Sequence, residues 1–158
     1  MGFSAAIFAL TLLIPPASAW VLPAGQGFSL VISTMQESVR IGSEIKLTIK
    51  LTNETNHVIS LIDMDQRCDY TVEVRDSRGQ LARETEQRRR FKCAEPVAGK
   101  VIQLKLKPGE QHEYLLFLND WYYMTRPDEY RVAVNRKIPK EMGDGQVKSN
   151  TITLRVTE

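Results

Sequence analysis

The sequence predicts an all-β fold, a sandwich of about seven to nine short antiparallel strands. Apolar and polar residues alternate with a period of two through most of the chain after residue 27, which is typical of strands with one buried face. Groups of Gly, Pro, Asp and Asn separate these runs and indicate turns. No segment after residue 19 has a convincing helical period, so the pattern favours strands throughout.

The predicted strands follow one another along residues 27–158, the expected domain. In the run 44–53 the Ile and Leu side chains fall on one face and the Lys and Thr side chains on the other. The same alternation marks the runs Phe28–Ile32, Tyr70–Val74, Ile102–Leu106, Tyr130–Val134 and Ile152–Val156. The run Gln111–Leu118 is apolar on both faces at its end, which predicts a central strand covered on both sides. Turn signals lie at Ile41–Ser43, Asn53–Asn56, Asp76–Gly79, Pro108–Glu110, Arg126–Asp128 and Gly143–Gly145.

The N-terminal segment 1–19 has the features of a secretory signal peptide. A short apolar run is followed by Pro15-Pro16 and by Ala17-Ser18-Ala19, so we expect cleavage after Ala19. Residues 20–26 are expected to form a flexible lead-in. The protein is therefore predicted to be secreted or periplasmic, with no transmembrane segment in the mature chain and with another exported or envelope protein as its partner. A net charge of +2 argues against nucleic-acid binding.

Cys68 and Cys93 are the two cysteines of the chain. In an oxidising compartment an even pair is most simply a disulfide, and two free or metal-binding thiols are the alternative. The bond would close a loop of about 25 residues and contribute roughly 3 kcal/mol in the chain-entropy model.

Three motifs occur in an order that resembles a known group of domains. They are the strand and hairpin Cys68–Gly79, the turn Leu106–Glu110 and the segment Arg126–Val132. Over roughly residues 40 to 135 this order is similar to the immunoglobulin-like domains of exported bacterial proteins, and most of all to the Bacillus intracellular proteinase inhibitor (BsuPI-like) family. The resemblance implies a fibronectin-type, immunoglobulin-like sandwich. It also implies that Tyr130 is a structural tyrosine corner, whose hydroxyl bonds to backbone upstream.

The sequence does not favour an enzyme. Its two histidines, His57 and His112, lie in or beside predicted strands without a nucleophile motif, and the common hydrolase, zinc-protease and phosphate-loop patterns do not occur. We expect no cofactor.

An acidic stretch before the strand at Tyr70 is a weak candidate for a metal site. Asp63, Asp65 and Asp69 have a spacing that could supply oxygen ligands to calcium. The interpretation we favour is a solvated acidic loop or partners for nearby arginines, and we predict no metal.

The basic run from Arg83 to Lys92 is a candidate for partner binding. It contains the consecutive residues Arg88, Arg89 and Arg90, which in an extended chain would point to alternate sides. Such a cluster could bind anionic glycans, lipid headgroups or an acidic partner, or present an Arg to a protease. The alternative that we favour is an exposed, charge-balanced edge strand that prevents aggregation.

The aromatic segment Trp121, Tyr122 and Tyr123 is a second partner-binding candidate. Aromatic residues near a loop often anchor interfaces, but closing the end of the core is the commoner role. Asn53-Glu54-Thr55 matches the glycosylation sequon, which matters only in a eukaryotic source.

The function that these patterns favour is a secreted or periplasmic, non-enzymatic binding module. Its recognition surface would be the basic run, the aromatic segment or an exposed sheet edge. The alternative, which follows the family resemblance, is a proteinase inhibitor that uses the disulfide-bounded loop 80–93.

Overall fold

The computed structural model of the protein describes residues 27–63, 65–93, 102–138 and 145–158. The expected signal peptide 1–19 and lead-in 20–26 lie outside the described residues. Within these, the strands are β1 Phe28–Ser33, β2 Ser38–Arg40, β3 Lys46–Asn53, β4 Ile59–Asp63, β5 Tyr70–Arg75, β6 Ile102–Leu106, β7 Gln111–Phe117, β8 Asp128–Ile138, β9 Gly145–Lys148 and β10 Ile152–Thr157. The helices are α1 Gln66–Asp69, α2 Glu86–Arg90 and α3 Leu118–Trp121. The expectation of strands throughout is therefore wrong at three places, because a helix of one turn is too short to produce a detectable period.

The strands form two main sheets and a separate pair. The first sheet has the order β1-β3-β7, with antiparallel neighbours that bring Leu30 opposite Leu51 and Ile49 opposite Tyr114. The second has the order β2-β10-β8-β5, with β9 also paired to β8. Its neighbours are antiparallel except for β2, which runs parallel to β10. Strands β4 and β6 form an antiparallel pair of their own.

The inward faces of both sheets share one apolar core. The alternation that the sequence shows along β3 is the alternation of burial, and the same holds for β5, β8 and β10. The largest fully buried side chains are Tyr70, Ile32, Ile45, Leu47, Ile49, Leu51, Leu61, Leu106, Leu118, Leu154, Val74 and Val132. Two sheets around one core make a β-sandwich, so the predicted all-β sandwich is confirmed. The described residues form ten strands rather than seven to nine, and β2 and β10 depart from the expected antiparallel pairing.

Strand β7 differs from the prediction of a central strand covered on both sides. Among the described strands it pairs with β3 alone and so lies at the edge of the first sheet. Tyr114 and Leu116 point into the core, whereas Leu115 is 46% exposed. The outward-facing apolar residues at the end of β7, Leu115 and Phe117, line a surface cleft beside α1 and α2.

The turn after β5 is built by one aspartate and one glycine. The Asp76 carboxylate accepts bonds from the backbone N–H groups of Arg78 and Gln80, at 3.0 and 2.8 Å. Gly79 has a φ of +79°, a conformation that costs glycine little and other residues more. The turn sends the chain back along β5 toward residues 81–85.

Candidate functional site

A disulfide joins α1 to the residues just after α2, the helix within the basic run. Cys68 lies in α1 and Cys93 follows α2, and their Cα atoms are 5.6 Å apart across the S–S bond. The predicted disulfide is confirmed. We call residues 65–69 and 85–93, which it ties together, the helical corner.

Residues Glu86–Arg90 of the basic run form a helix rather than an extended edge strand, which corrects our expectation that Arg88, Arg89 and Arg90 point to alternate sides. The Thr85 hydroxyl caps α2 by accepting a bond from the N–H of Arg88 at 3.1 Å. Within the turn, Arg89 and Arg90 each pair with Glu86 at 2.9 Å. The favoured alternative, an edge strand that prevents aggregation, is wrong for the same reason.

Arg88 is turned inward. Its guanidinium lies 4.4 Å from the centroid of the Trp121 ring and donates a 3.1 Å bond to the carbonyl of Arg67. Only 19% of its side chain is exposed. Arg67 repeats the arrangement on Phe91, with 3.8 Å between the guanidinium and the ring centroid. Arg88 therefore holds the helical corner against Trp121, whereas Arg67 joins the two halves of the corner to each other.

The aromatic segment divides between core and surface. Trp121 and Tyr122 are 3% and 7% exposed, so these two close the core and present no free face to a partner. The Tyr122 hydroxyl donates to the carbonyl of Val72, and burial raises the pKa of Tyr122 to about 12. Tyr123 is 40% exposed, with the Arg83 guanidinium 5.7 Å from its ring centroid.

The two partner-binding candidates lie side by side. The N–H of Thr85 donates to Trp121 and the N–H of Tyr123 donates to Arg83, at 2.9 and 2.8 Å. On its other side the segment is tied to β5, because the N–H of Ala82 donates to Val74 at 2.8 Å. Residues 81–85 therefore lie between β5 and residues 121–123, with hydrogen bonds along both of their edges.

This pairing creates a groove of about 450 Å³ at one end of the sandwich, which we call the arginine–tyrosine groove. Alternation along the two extended segments turns Leu81 and Arg83, and beside them Tyr123 and Thr125, toward solvent. The contributions of Leu81, which is 62% exposed, and of Arg126 were not predicted from the sequence. The available signal was the spacing of residues 81 and 83, which places both side chains on one face of an extended segment. That this segment is extended and that this face is exposed follow only from its pairing with residues 121–123.

The acidic and basic side chains of the groove differ in how they are paired. Asp76 has a lowered pKa because it accepts bonds from the Gln80 backbone and from Arg78, and Asp128 has a lowered pKa because Ser77 bonds to it. Arg83 and Arg126 form no ion pair with any residue in the part of the chain that the structure describes. The groove is lined by three arginines and two carboxylates, so its net charge is positive, and Arg83 and Arg126 carry the positive charge that no ion pair among the described residues takes up.

Tyr130 braces one wall of this groove. Its side chain is buried, and its hydroxyl donates to the carbonyl of Arg126, four residues upstream, at 3.2 Å. The bond holds the turn 126–128, and with it Arg126, against the start of β8.

The carboxylates of the acidic stretch are used by the fold. Asp63 accepts a 2.9 Å bond from the Tyr114 hydroxyl. Asp65 caps α1 and forms a bidentate pair with Arg67 at 2.9 and 2.7 Å. Among the described residues there is no group of three or more His, Cys, Asp and Glu side chains that could hold a metal ion. Of the histidines, His112 packs edge-on against Tyr114, and His57 lies exposed in the loop before β4.

The sequon asparagine is part of the core. Asn53 is 0% exposed, and its Nδ2 donates to the carbonyls of His57 and Leu106 at 2.8 and 3.0 Å. Its Oδ1 accepts bonds from the N–H and hydroxyl of Thr55. In the folded protein the nitrogen that a glycan would need is therefore buried and already bonded.

A buried arginine was also missed from the sequence. Arg136 is 3% exposed and donates to the Tyr70 hydroxyl at 2.8 Å and to the carbonyl of Ile62 at 2.9 Å. Its guanidinium lies 4.8 Å from the Tyr70 ring centroid, and the rings of Tyr70 and Tyr114 meet edge-on. The available signal was its position on β8: residue 136 lies on the same face of the strand as residues 130, 132, 134 and 138, which all point inward.

Comparisons with known proteins give no family for this chain. No protein-family model matches it, and no curated protein matches it in sequence. Among solved structures it is similar to the CARDB domain of PF1109 from Pyrococcus furiosus in complex with di-metal ions. The identity is 13% and the TM-score 0.44, over 82% of this chain and 87% of that one. It is also similar to part of a β-glucosidase from Erythrobacter marinus, at 12% identity and a TM-score of 0.45, over 82% of this chain and 15% of that one.

A β-glucosidase from Listeria innocua in complex with glucose is similar at 12% identity and a TM-score of 0.45, over 83% of this chain and 16% of that one. None of these likenesses bears on function. Within the described residues, no helix is long and apolar enough to cross a membrane.

Proposed function

We propose that this protein is an exported, non-enzymatic interaction module that binds another exported or envelope protein through the arginine–tyrosine groove. Export is supported by the signal-like segment Met1–Ala19 and is compatible with the Cys68–Cys93 disulfide. Recovery of a product that begins at Trp20, measured by intact mass, would test this part of the proposal. A product retained in the cytoplasm with Met1 in place would contradict it.

The binding proposal rests on the exposed side chains of Leu81 and Tyr123. They lie beside Arg83, which has no ion-pair partner among the described residues, and the backbone that carries them is held by hydrogen bonds. Exposed apolar side chains grouped next to arginine are the composition of binding surfaces. Because residues 81–85 are bonded along both edges, the surface is preorganised and binding would cost little ordering of the backbone. Trp121 supports the groove through its backbone bond to Thr85, and Tyr122 through its buried side chain, whereas Arg88 packs on Trp121 in the helical corner.

The proteinase inhibitor, which the BsuPI-like resemblance suggested, is the alternative. An inhibitory arginine is presented from an extended loop, whereas Glu86–Arg90 is helical and Arg88 packs on Trp121. The geometry therefore favours the groove. One-to-one inhibition of a protease that is lost when Arg88, Arg89 and Arg90 are all changed to Ala would reverse this preference.

The test places a photoreactive phenylalanine analogue at Thr125, inside the groove, and a matched one at Val31, which is exposed on β1. After irradiation in the native envelope or medium, we expect one discrete crosslinked protein from position 125 and not from position 31. The crosslink should disappear when Tyr123→Ala is added. Crosslinking that is equal at both positions, or absent at 125, would refute binding through the groove.

A further inference from the structure

We propose that the arginine–tyrosine groove binds an acidic, extended segment of its protein partner, with an apolar side chain set between carboxylates. This inference deepens the proposed function and rests on it. It identifies the chemistry of the ligand, which the module function alone leaves open.

The first support is the distribution of charge. The run Arg83–Lys92 contains five positive and two negative side chains, a net charge of +3, in a chain whose total is +2. The remainder of the chain therefore sums to −1, and Arg83, at the start of this run, lines the groove. A field of this kind attracts acidic segments and raises their association rate.

The second support lies inside the groove. Asp76 and Asp128 are occupied by hydrogen bonds from Gln80, Arg78 and Ser77. Arg83 and Arg126 have no such partner among the described residues, so their guanidinium groups are available to carboxylates. Arginine binds carboxylates through two parallel N–H donors, which favours this ligand in geometry as well as in charge.

The third support separates a peptide from other anions. Leu81 and Tyr123 are 62% and 40% exposed in the same groove as the two arginines. A sulfated glycan or a lipid headgroup would leave the Leu81 side chain in water, whereas an apolar side chain of a peptide would cover it. Because residues 81–85 already use both backbone edges, the peptide would be recognised by side chains and not by strand addition.

The experiment is selection from a random peptide display library with the purified, disulfide-bonded protein. Three baits are compared: wild type, the double variant Arg83→Ala/Arg126→Ala, and the control Arg40→Ala. Arg40 is exposed on β2, at the opposite edge of the second sheet from β5. Circular dichroism establishes that all three baits are folded.

We expect wild type and Arg40→Ala to enrich peptides with Asp or Glu on either side of an apolar residue. Synthetic copies should bind the double variant at least tenfold more weakly, and wild-type binding should weaken as salt rises. Enrichment of basic peptides, no enrichment, or the same peptides from the double variant would overturn the inference.

Two parallel probes distinguish other anions, namely heparin and vesicles of phosphatidylcholine and phosphatidylglycerol. Binding of either probe that depends on Arg83 and Arg126, without enrichment of acidic peptides, would overturn the peptide ligand in favour of that anion. If Thr125 crosslinks a partner but acidic peptides are not enriched, this inference fails and the module function stands. If the crosslink also fails, the proposed function falls with it.

Discussion

The guanidinium of Arg88 lies over the ring of Trp121, 4.4 Å from its centroid, and joins the helical corner to the end of the sandwich core. The same side chain bonds to the carbonyl of Arg67, so it contacts both halves of the corner that the Cys68–Cys93 disulfide connects. The side chains of its neighbours Arg89 and Arg90 pair with Glu86 at the surface. Three consecutive arginines therefore have two different roles.

Arg88→Ala is expected to destabilise the protein by about 2 kcal/mol, because it removes a partly buried cation–π contact and a charged hydrogen bond. Arg89→Ala and Arg90→Ala serve as matched controls and should each change the free energy of unfolding by less than about 0.5 kcal/mol, since exposed ion pairs contribute little. Urea unfolding followed by circular dichroism measures all three. Equal stability of the three variants would show that the Trp121 contact contributes nothing.

The fold could be predicted largely from alternation, because a sheet with one buried face forces a period of two on its residues. Leu47, Ile49 and Leu51 of β3 are all fully buried, as their spacing indicates. Which strands pair with one another could not be predicted from alternation. The parallel contact between β2 and β10 joins residues more than 110 positions apart, and no local pattern in the sequence records it.

The candidate site could be predicted in composition but not in arrangement. The basic run and the aromatic segment were both found from residue type, yet their contact depends on bonds between Arg83, Thr85 and residues 121–123. The turn of α2 depends on the Thr85 cap, which redirects Arg88 from solvent to Trp121. Arg136 was missed because a charged residue suggests exposure, although its parity on β8 placed it inward.

Substitution of Arg136 tests whether this buried charge is supported by its neighbours. Arg136→Ala should cost about 3 kcal/mol or more, because it opens a cavity and leaves the Tyr70 hydroxyl and the Ile62 carbonyl without a donor. Arg136→Met should cost less, since it keeps most of the volume and removes the desolvated charge. Arg131→Ala, exposed on the same strand, is the control. If Arg136→Ala unfolds at the same urea concentration as the control, the network has no structural role.

Asn53→Ala is expected to destabilise the fold by about 3 kcal/mol, because it removes the four hydrogen bonds of a fully buried amide and leaves the Thr55 N–H without its acceptor. The matched control is Asn56→Ala, three residues away in an exposed loop position, which should change stability by less than about 0.5 kcal/mol. Thermal and urea unfolding of both variants provide the measurement. A mild effect at Asn53, similar to that at Asn56, would mean that water replaces these bonds and that the sequon nitrogen is accessible after all.

The helical corner should also weaken in acid through Asp65. Hydrogen bonding to Arg67 lowers the pKa of Asp65 below its ordinary value of 3.8. A carboxyl whose pKa is lower in the folded than in the unfolded state stabilises the fold above the unfolded value. That contribution is lost as the pH falls through the folded value. The negative charge of the Asp65 carboxylate also holds Arg67 over Phe91, so protonation of Asp65 should loosen the end of α2.

Asp65→Asn isolates this charge, because asparagine keeps an oxygen that can cap α1 but carries no charge. At pH 7 the wild type should be more stable than the variant by up to about 1 kcal/mol, a modest value because the pair is partly exposed. The difference should shrink below about pH 4 and vanish once the carboxyl is protonated in both states. Urea unfolding of both proteins between pH 2.5 and 7, at constant salt, measures this difference directly. A difference near zero at pH 7 that does not change with pH would show that the cap oxygen alone, and not the charge on Asp65, holds the corner.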